Sequence, residues 1–185
     1  IYEFEVYGIY NRATENIALN KETETSSVST FNDTSKKMVG ACAVDGDKTG
    51  NSRWASLRNS DDNWITIDLG RKANIEKMFI YWESACSDNY QIEVSDDNVH
   101  WTTVKAKLQS GSDAKYPVDK ILFDKAVNAR YVKVHSLQSR LAVDQTTGET
   151  KNYGINIFEI EVYGVYTEEE AVETNIALNK PSYAS

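Results

Sequence analysis

Apolar and polar residues alternate with a period of two along much of the chain. In Trp64-Ile-Thr-Ile-Asp-Leu69 the residues Ile65, Ile67 and Leu69 share one face. Successive side chains on a strand point to opposite sides of the pleat, so this pattern predicts a strand. The run 75–83 sets Ile75, Phe79 and Tyr81 against Met78, Ile80 and Trp82, a strand covered on both faces. Tyr90, Ile92 and Val94 alternate with Gln91, Glu93 and Ser95. Similar runs predict strands at 100–105, 119–124, 129–136 and 155–163, rich in β-branched and aromatic residues and broken by Gly, Asn, Asp and Ser. No stretch of a dozen residues keeps a 3.6-residue period, and at most a helical turn precedes Asp45. Many short strands with turns between them predict an all-β sandwich or barrel.

One strand pattern occurs twice. Ile1-Tyr-Glu-Phe-Glu-Val-Tyr-Gly-Ile-Tyr10 returns at 157–166, and Asn16-Ile-Ala-Leu-Asn-Lys21 returns at 175–180. Self-similarity at a domain-sized spacing predicts a tandem array. Residues 1–10 then read as the last strand of a preceding repeat and 11–15 as a linker. Residues 16–166 form one complete module, 167–174 an acidic linker, and 175–185 the start of a following repeat. Charged linkers self-repel and extend. The neighbouring modules of the same chain are the expected protein contacts, around a monomeric module.

The net charge of −8 over 185 residues opposes nucleic acid or an anionic membrane as partner, both of which demand clustered Lys and Arg. It suits a secreted or cell-surface protein. No segment approaches the apolar length of a membrane span. Four Trp, eleven Tyr and five Phe supply aromatic surface for a core. Cys42 and Cys86 are the only cysteines, and a disulfide and two free thiols are equally open.

The densest set of oxygen ligands is Ala43-Val-Asp-Gly-Asp-Lys-Thr-Gly-Asn-Ser52. Its opening resembles an EF-hand loop, but the twelfth position is Ser56 rather than Glu and the flanks read as strands. A different oxygen cage is compatible, although from this segment alone an Asp-Gly turn is the better reading. Catalysis finds little support. His100 and His135 lack a nucleophile-and-base pattern, and the pairs Asp61–Asp62 and Asp96–Asp97 read as solvated turns. Glu159 and Glu161 read as architectural. Trp54, Trp64, Trp82 and Trp101 read as core before ligand platforms. Glu83 ends an apolar strand, where a carboxylate needs a donor or water. Tyr153, beside Gly154, suits an exposed ring. The loop 137–154 is long for a compact β domain, and such loops are more often functional.

Nine segments in register resemble one family: Asn16–Lys21, Ala43–Asp47, Arg53–Ser56, Trp64–Gly70, Tyr81–Glu83, Tyr90–Asp97, Trp101–Val104, Ala129–Val134 and Tyr153 through Gly164. Together they resemble the F5/8 type C, or discoidin, domain, and within it the family 32 carbohydrate-binding modules. The resemblance implies an eight-stranded jelly-roll sandwich with a shallow sugar pocket at one end and a structural Ca²⁺. The Ca²⁺ ligands it implies are the carbonyls of Cys42 and Asp47, the carboxylates of Asp45 and Glu159, and the hydroxyl and carbonyl of Ser52. The turn is about two residues longer than the family pattern, so Thr49 and Ser52 compete to supply the hydroxyl. For the sugar it implies Glu83 as acceptor, Arg53 as donor and Tyr153 as ring platform, with Arg58, Ser29 and Asn152 around them. Ala55 and Glu83 stand where galactose-binding members carry His and Arg, which points instead to N-acetylglucosamine or a related amino sugar. Cys86 departs from the subgroup's Tyr, and the 137–153 loop is longer, as though to wall the pocket. The expectation is a non-catalytic module that targets a secreted, multimodular glycan-degrading enzyme. The rivals are galactose-type binding, or adhesion to protein or lipid through an apolar tip at Phe31, Met38 and Val39.

Overall fold

The computed structural model describes residues 13–30, 38–50, 52–111 and 115–167. The flanking repeat strands expected at 1–10 and 175–185 lie outside the described residues, as do Phe31 and most of the acidic linker. Among the described residues the strands are β1 (Glu22–Thr25), β2 (Trp54–Ala55), β3 (Asn63–Trp82), β4 (Ser87–Ser95), β5 (Thr102–Leu108), β6 (Val118–Ser139), β7 (Leu141–Val143), β8 (Thr150–Asn152) and β9 (Asn156–Tyr166). A single 3-10 turn, Gly40–Ala43, stands just before Asp45, where the sequence allowed one helical turn. Pairing is antiparallel throughout, in the order β2-β9-β3-β6-β4-β5, with β1 against β3 and β7–β8 a separate hairpin.

The runs 64–69 and 75–83 are parts of one long strand, β3, and 119–124 and 129–136 are parts of β6. Each long strand bends and serves both layers of a sandwich. The first half of β3, Asn63–Asp68, pairs with β1 and with 131–136 of β6. Its second half, Ala73–Trp82, pairs with 118–129 of β6 and with β9. Register shifts between Asp68 and Ala73 and between Ile75 and Lys77 make the bend, since extra residues in one strand kink and twist it. This corrects the grouping of Ile75 with Phe79 and Tyr81. The bulge moves Ile75 to the other face, where it is buried with Met78, Ile80 and Trp82.

The core between the layers holds Ile65, Ile67, Leu69, Ile80, Ile92, Val132, Val134, Ile157 and Ile160, all fully buried. Trp54 and Trp82 are 0% exposed, so both are core and neither is a ligand platform. Trp82 meets Tyr90 edge-on at 5.3 Å between ring centroids. Trp82 Nε1 and Tyr90 OH both donate to an Asp119 carboxylate oxygen, at 2.8 and 2.7 Å. A buried aromatic with a polar tip needs such an acceptor. Cys42 and Cys86 are not bridged to each other, and burial pushes the Cys86 thiol up.

Candidate functional site

A cavity of about 430 Å³ opens at one end of the sandwich, where β2 begins, β3 ends and β9 begins. Ser29, Arg53, Arg58, Glu83 and Tyr153 all line it. Five of the six sugar-site residues expected from the sequence therefore meet at one hollow. The sixth, Asn152, does not line it.

Glu83 is held from several sides. Its N–H donates to Asn156 O at 3.0 Å, and Asn156 N–H donates to Ala85 O at 2.7 Å, so the end of β3 is stitched to the start of β9. Its carboxylate accepts Ser84 Oγ at 2.7 Å, Ala85 N–H at 3.0 Å and Asn156 Nδ2 at 3.1 Å. Burial is the largest single influence on this carboxyl and opposes ionisation. The donors together outweigh it and hold Glu83 below its ordinary value. A fixed, ionised acceptor thus faces the hollow.

Among the described residues, five buried side-chain nitrogen or oxygen atoms have no hydrogen-bond partner, including Arg53 Nε and Asn156 Oδ1. Both residues line this cavity. A buried polar atom left unpaired costs about 1–3 kcal/mol, so the wall of the hollow carries two polar groups that the fold leaves unsatisfied. Asn156 escaped the sequence reading. Its place opposite Ala55 is set by the register of β9 against β2, which the sequence alone does not carry.

Tyr153 is half-buried, with the Arg58 guanidinium 5.0 Å from its ring centre, a cation–π distance. The ring is set by the turn that follows β8. Gly154 has φ +73°, and a Cβ there would lie 2.4 Å from Leu57 O. Only glycine passes without strain. Asn152 organises this turn rather than the pocket. Its Oδ1 accepts Gly154 N–H at 2.8 Å, and its Nδ2 donates to Asp61 Oδ1 at 3.0 Å. The long loop after β6 is the β7–β8 hairpin, and its residues 142–145 form one wall of the cavity. Asp144 fastens it, accepting Lys151 Nζ at 2.6 Å and the N–H groups of Thr146 and Thr147. These donors hold the Asp144 carboxyl well below the usual carboxylate range.

The loop 45–52 leads directly into Arg53. Ser52 Oγ donates to Asp45 Oδ2 at 2.6 Å, whereas Thr49 turns to Asp47 Oδ1 through both its N–H (2.7 Å) and its hydroxyl (2.5 Å). Asp45 Oδ1 accepts Asp47 N–H at 2.9 Å. Behind the loop, Glu159 is 0% exposed; its Oε2 accepts Gly46 N–H at 3.0 Å and its Oε1 has no partner. Burial, and then the charges of Asp45 and Glu161, raise this carboxyl to about 7 against the pull of the Gly46 N–H. Among the described residues no three His, Cys, Asp or Glu side chains cluster to hold a metal. Any cation here would rest on Asp45 and Glu159 together with hydroxyl and main-chain oxygens, with Cys42 one turn away in Gly40–Ala43. That hard oxygen set is what Ca²⁺ takes.

The histidines serve loops. His100 Nδ1 lies 2.7 Å from Asp97 Oδ2, and His135 Nε2 lies 2.7 Å from Asp62 Oδ1; neither residue lines the cavity. A larger hollow, of about 680 Å³, runs along β1. One of its walls, Asp68, is already occupied by a two-pronged pair with Arg130 at 2.8 and 2.7 Å, and no partnerless buried side-chain atom belongs to its lining.

The F5/8 type C domain model matches residues 22–155. No curated protein matches the chain. Among solved structures, chitosan-binding module 1 of a chitosanase/glucanase from Paenibacillus sp. IK-5 is 32% identical, with a TM-score of 0.64, covering 81% of this chain and 99% of its own. Module 2 of the same enzyme, solved in complex with chitotriose, is 35% identical, with a TM-score of 0.64, covering 80% and 100%. CBM32-3 from a family 31 glycoside hydrolase of Clostridium perfringens is 22% identical, with a TM-score of 0.59, covering 81% and 94%, and shares the fold. With most of its length inside that match, and with the sandwich and end cavity described above, the chain belongs to the F5/8 type C domain family.

Proposed function

We propose that this chain is a non-catalytic carbohydrate-binding module whose ligand is a terminal amino sugar, N-acetylglucosamine or a related one. One observation carries the reading. A fixed Glu83 carboxylate, the Tyr153 ring and the side chains of Arg53 and Asn156 all belong to residues of one open cavity. A pyranose offers hydroxyls to such polar atoms and an apolar C–H face to such a ring. The two Paenibacillus modules, whose names describe chitosan binding and a chitotriose complex, support an amino-sugar ligand. The lining carries two guanidinium groups, Arg53 and Arg58, and two carboxylates, Glu83 and Asp144, so either glucosamine or its N-acetylated form meets a complementary charge or donor there.

The module would be secreted or at the cell surface, tethering a glycan-degrading catalytic domain to its substrate, with tandem copies adding avidity. A structural Ca²⁺ on Asp45, Asp47, Ser52 and Glu159, with a Cys42 carbonyl, belongs to the same proposal. It would supply positive charge beside the partnerless Glu159 oxygen. Isothermal titration of N-acetylglucosamine, glucosamine and galactose tests the ligand. Glu83→Ala is expected to weaken N-acetylglucosamine binding at least ten-fold while leaving the fold intact by circular dichroism. Unchanged affinity in that variant, or a preference for galactose, refutes the assignment.

A further inference from the structure

A second hollow, of about 380 Å³, adjoins the first, and Arg53 and Glu83 line both. Its floor is aromatic. Tyr116 stands edge-on to Phe158, with ring centroids 5.3 Å apart and planes at 77°. Phe158 is 6% exposed and Tyr116 is 47% exposed, so one ring anchors and the other is presented. Pro117 lies beside them, fixed by Trp82 N–H donating to its carbonyl at 2.9 Å. Lys48 on the far side is engaged with Glu161 and with the Tyr81 ring, 4.7 Å away. The guanidinium between the two hollows is the one whose buried Nε has no partner.

We infer that this hollow is a second subsite, taking the next sugar of the glycan whose terminal unit sits between Glu83 and Tyr153. The inference rests on the saccharide reading and adds chain-length recognition to it. Continuity argues for this occupant, because a ligand spanning both hollows passes Arg53 and Glu83 at the junction. Chemistry argues the same way. A pyranose needs an apolar platform for its C–H face and donors for its hydroxyls, and Tyr116 and Pro117 with Arg53 offer both.

The test is titration of the whole chain with N-acetylglucosamine and its chitin-type disaccharide and trisaccharide, by calorimetry and by amide shifts in NMR spectra. The disaccharide is expected to bind about ten-fold more tightly than the monosaccharide and to shift the amides of Tyr116 and Val118, which the monosaccharide leaves unmoved. Tyr116→Ala is expected to erase that gain and leave monosaccharide affinity unchanged. Glu83→Ala is expected to weaken every member of the series. Equal affinity across the series with the Tyr116 amide unmoved overturns the subsite and leaves the first site standing. No binding of any member by the unsubstituted protein overturns both. The NMR arm uses the unsubstituted protein, so it decides the matter even if Tyr116→Ala fails to fold.

Discussion

Gly154→Ala probes the frame of the cavity without touching a ligand-facing atom. Gly154 has φ +73°, and an added Cβ would stand 2.4 Å from Leu57 O and 2.5 Å from Ser56 Oγ. Left-handed backbone disfavours an L-residue by about 1–2 kcal/mol. The near-contact with Ser56 matters more, because Ser56 Oγ accepts Ile155 N–H at 2.9 Å in a buried setting. Loosening that bond costs about 1–3 kcal/mol. Lower entropy in the unfolded chain offsets about 0.4–1 kcal/mol. The net is about 1–5 kcal/mol, which at about 2–4 °C per kcal/mol for a domain of this size lowers Tm by roughly 2–20 °C.

The displacement also has a direction. Leu57 must retreat, and Arg58 follows it in the chain, so the guanidinium 5.0 Å from the Tyr153 ring shifts as well. Differential scanning calorimetry reads the first effect and sugar titration the second. Gly154→Ala is expected to lose both stability and affinity, whereas Gly148→Ala, with φ +72° but nothing within 4 Å of its Cβ, is expected to lose only the backbone share of stability and no affinity. A Tm drop in Gly154→Ala no larger than that in Gly148→Ala would refute the close-approach argument.

With chelator present, sugar affinity is expected to stay flat from pH 8 to 5 and to fall only in more acid solution. Glu83 is held below its ordinary carboxyl value, so it keeps its charge until the pH drops past about 4.3. A half-loss near pH 6 in calorimetric titrations would contradict this. Glu159 behaves in the opposite way. Its folded value of about 7 lies above that of the unfolded chain, so the folded state prefers it protonated. That contribution is complete below about pH 4.3 and disappears as the pH rises through 7, a swing of about 3–4 kcal/mol. With chelator present, Glu159→Gln is expected to be more stable than the unsubstituted protein at pH 8 and similar to it at pH 4.5. Added Ca²⁺ is expected to raise the Tm of the unsubstituted protein but not of the variant. Equal calcium responses in thermal melts would remove Glu159 from the cage.

The strands were legible because burial on one face writes a period-two pattern, as in Ile65, Ile67 and Leu69. The bends in β3 were not, because a bulge breaks that period without leaving a signature of its own. Ile75 was therefore set on the wrong face. The site was legible where a residue type is dictated by chemistry: Glu83, Arg53 and Tyr153 meet at one hollow. Asn152 and Asn156 show where such reasoning stops. Both are Asn, four residues apart, and one supports a turn while the other lines the cavity and donates to Glu83. Only the register of β9 against β2, with Asn156 opposite Ala55, separates them. The 137–154 segment reads as a loop because its hairpin strands are three residues each, too short to show a period.

Asp45 and Ser52 lie just before Arg53 at the cavity, so a cation held by the first two would be coupled to a sugar held beside the third. Ser52 Oγ bonds Asp45 Oδ2 at 2.6 Å, and the next residue is Arg53, which lines both hollows. Two carboxylates, Asp45 and Glu159, repel across that loop when no cation lies between them. A Ca²⁺ there would relieve the repulsion, shorten the excursions of Ser52 and hold Arg53 at the junction of the two hollows. Because Ser52 belongs to the loop and the adjoining Arg53 to the cavity, the ion and the sugar would favour the same arrangement. Linkage is then reciprocal: the factor by which Ca²⁺ tightens sugar binding equals the factor by which sugar tightens Ca²⁺ binding. Typical couplings of about 1–3 kcal/mol correspond to about 5–150-fold. Titrating sugar with and without Ca²⁺, then Ca²⁺ with and without sugar, closes the cycle. Strong Ca²⁺ binding with identical sugar affinity in both states would mean that Ser52 and Arg53 move independently, and the coupling through the backbone would fail.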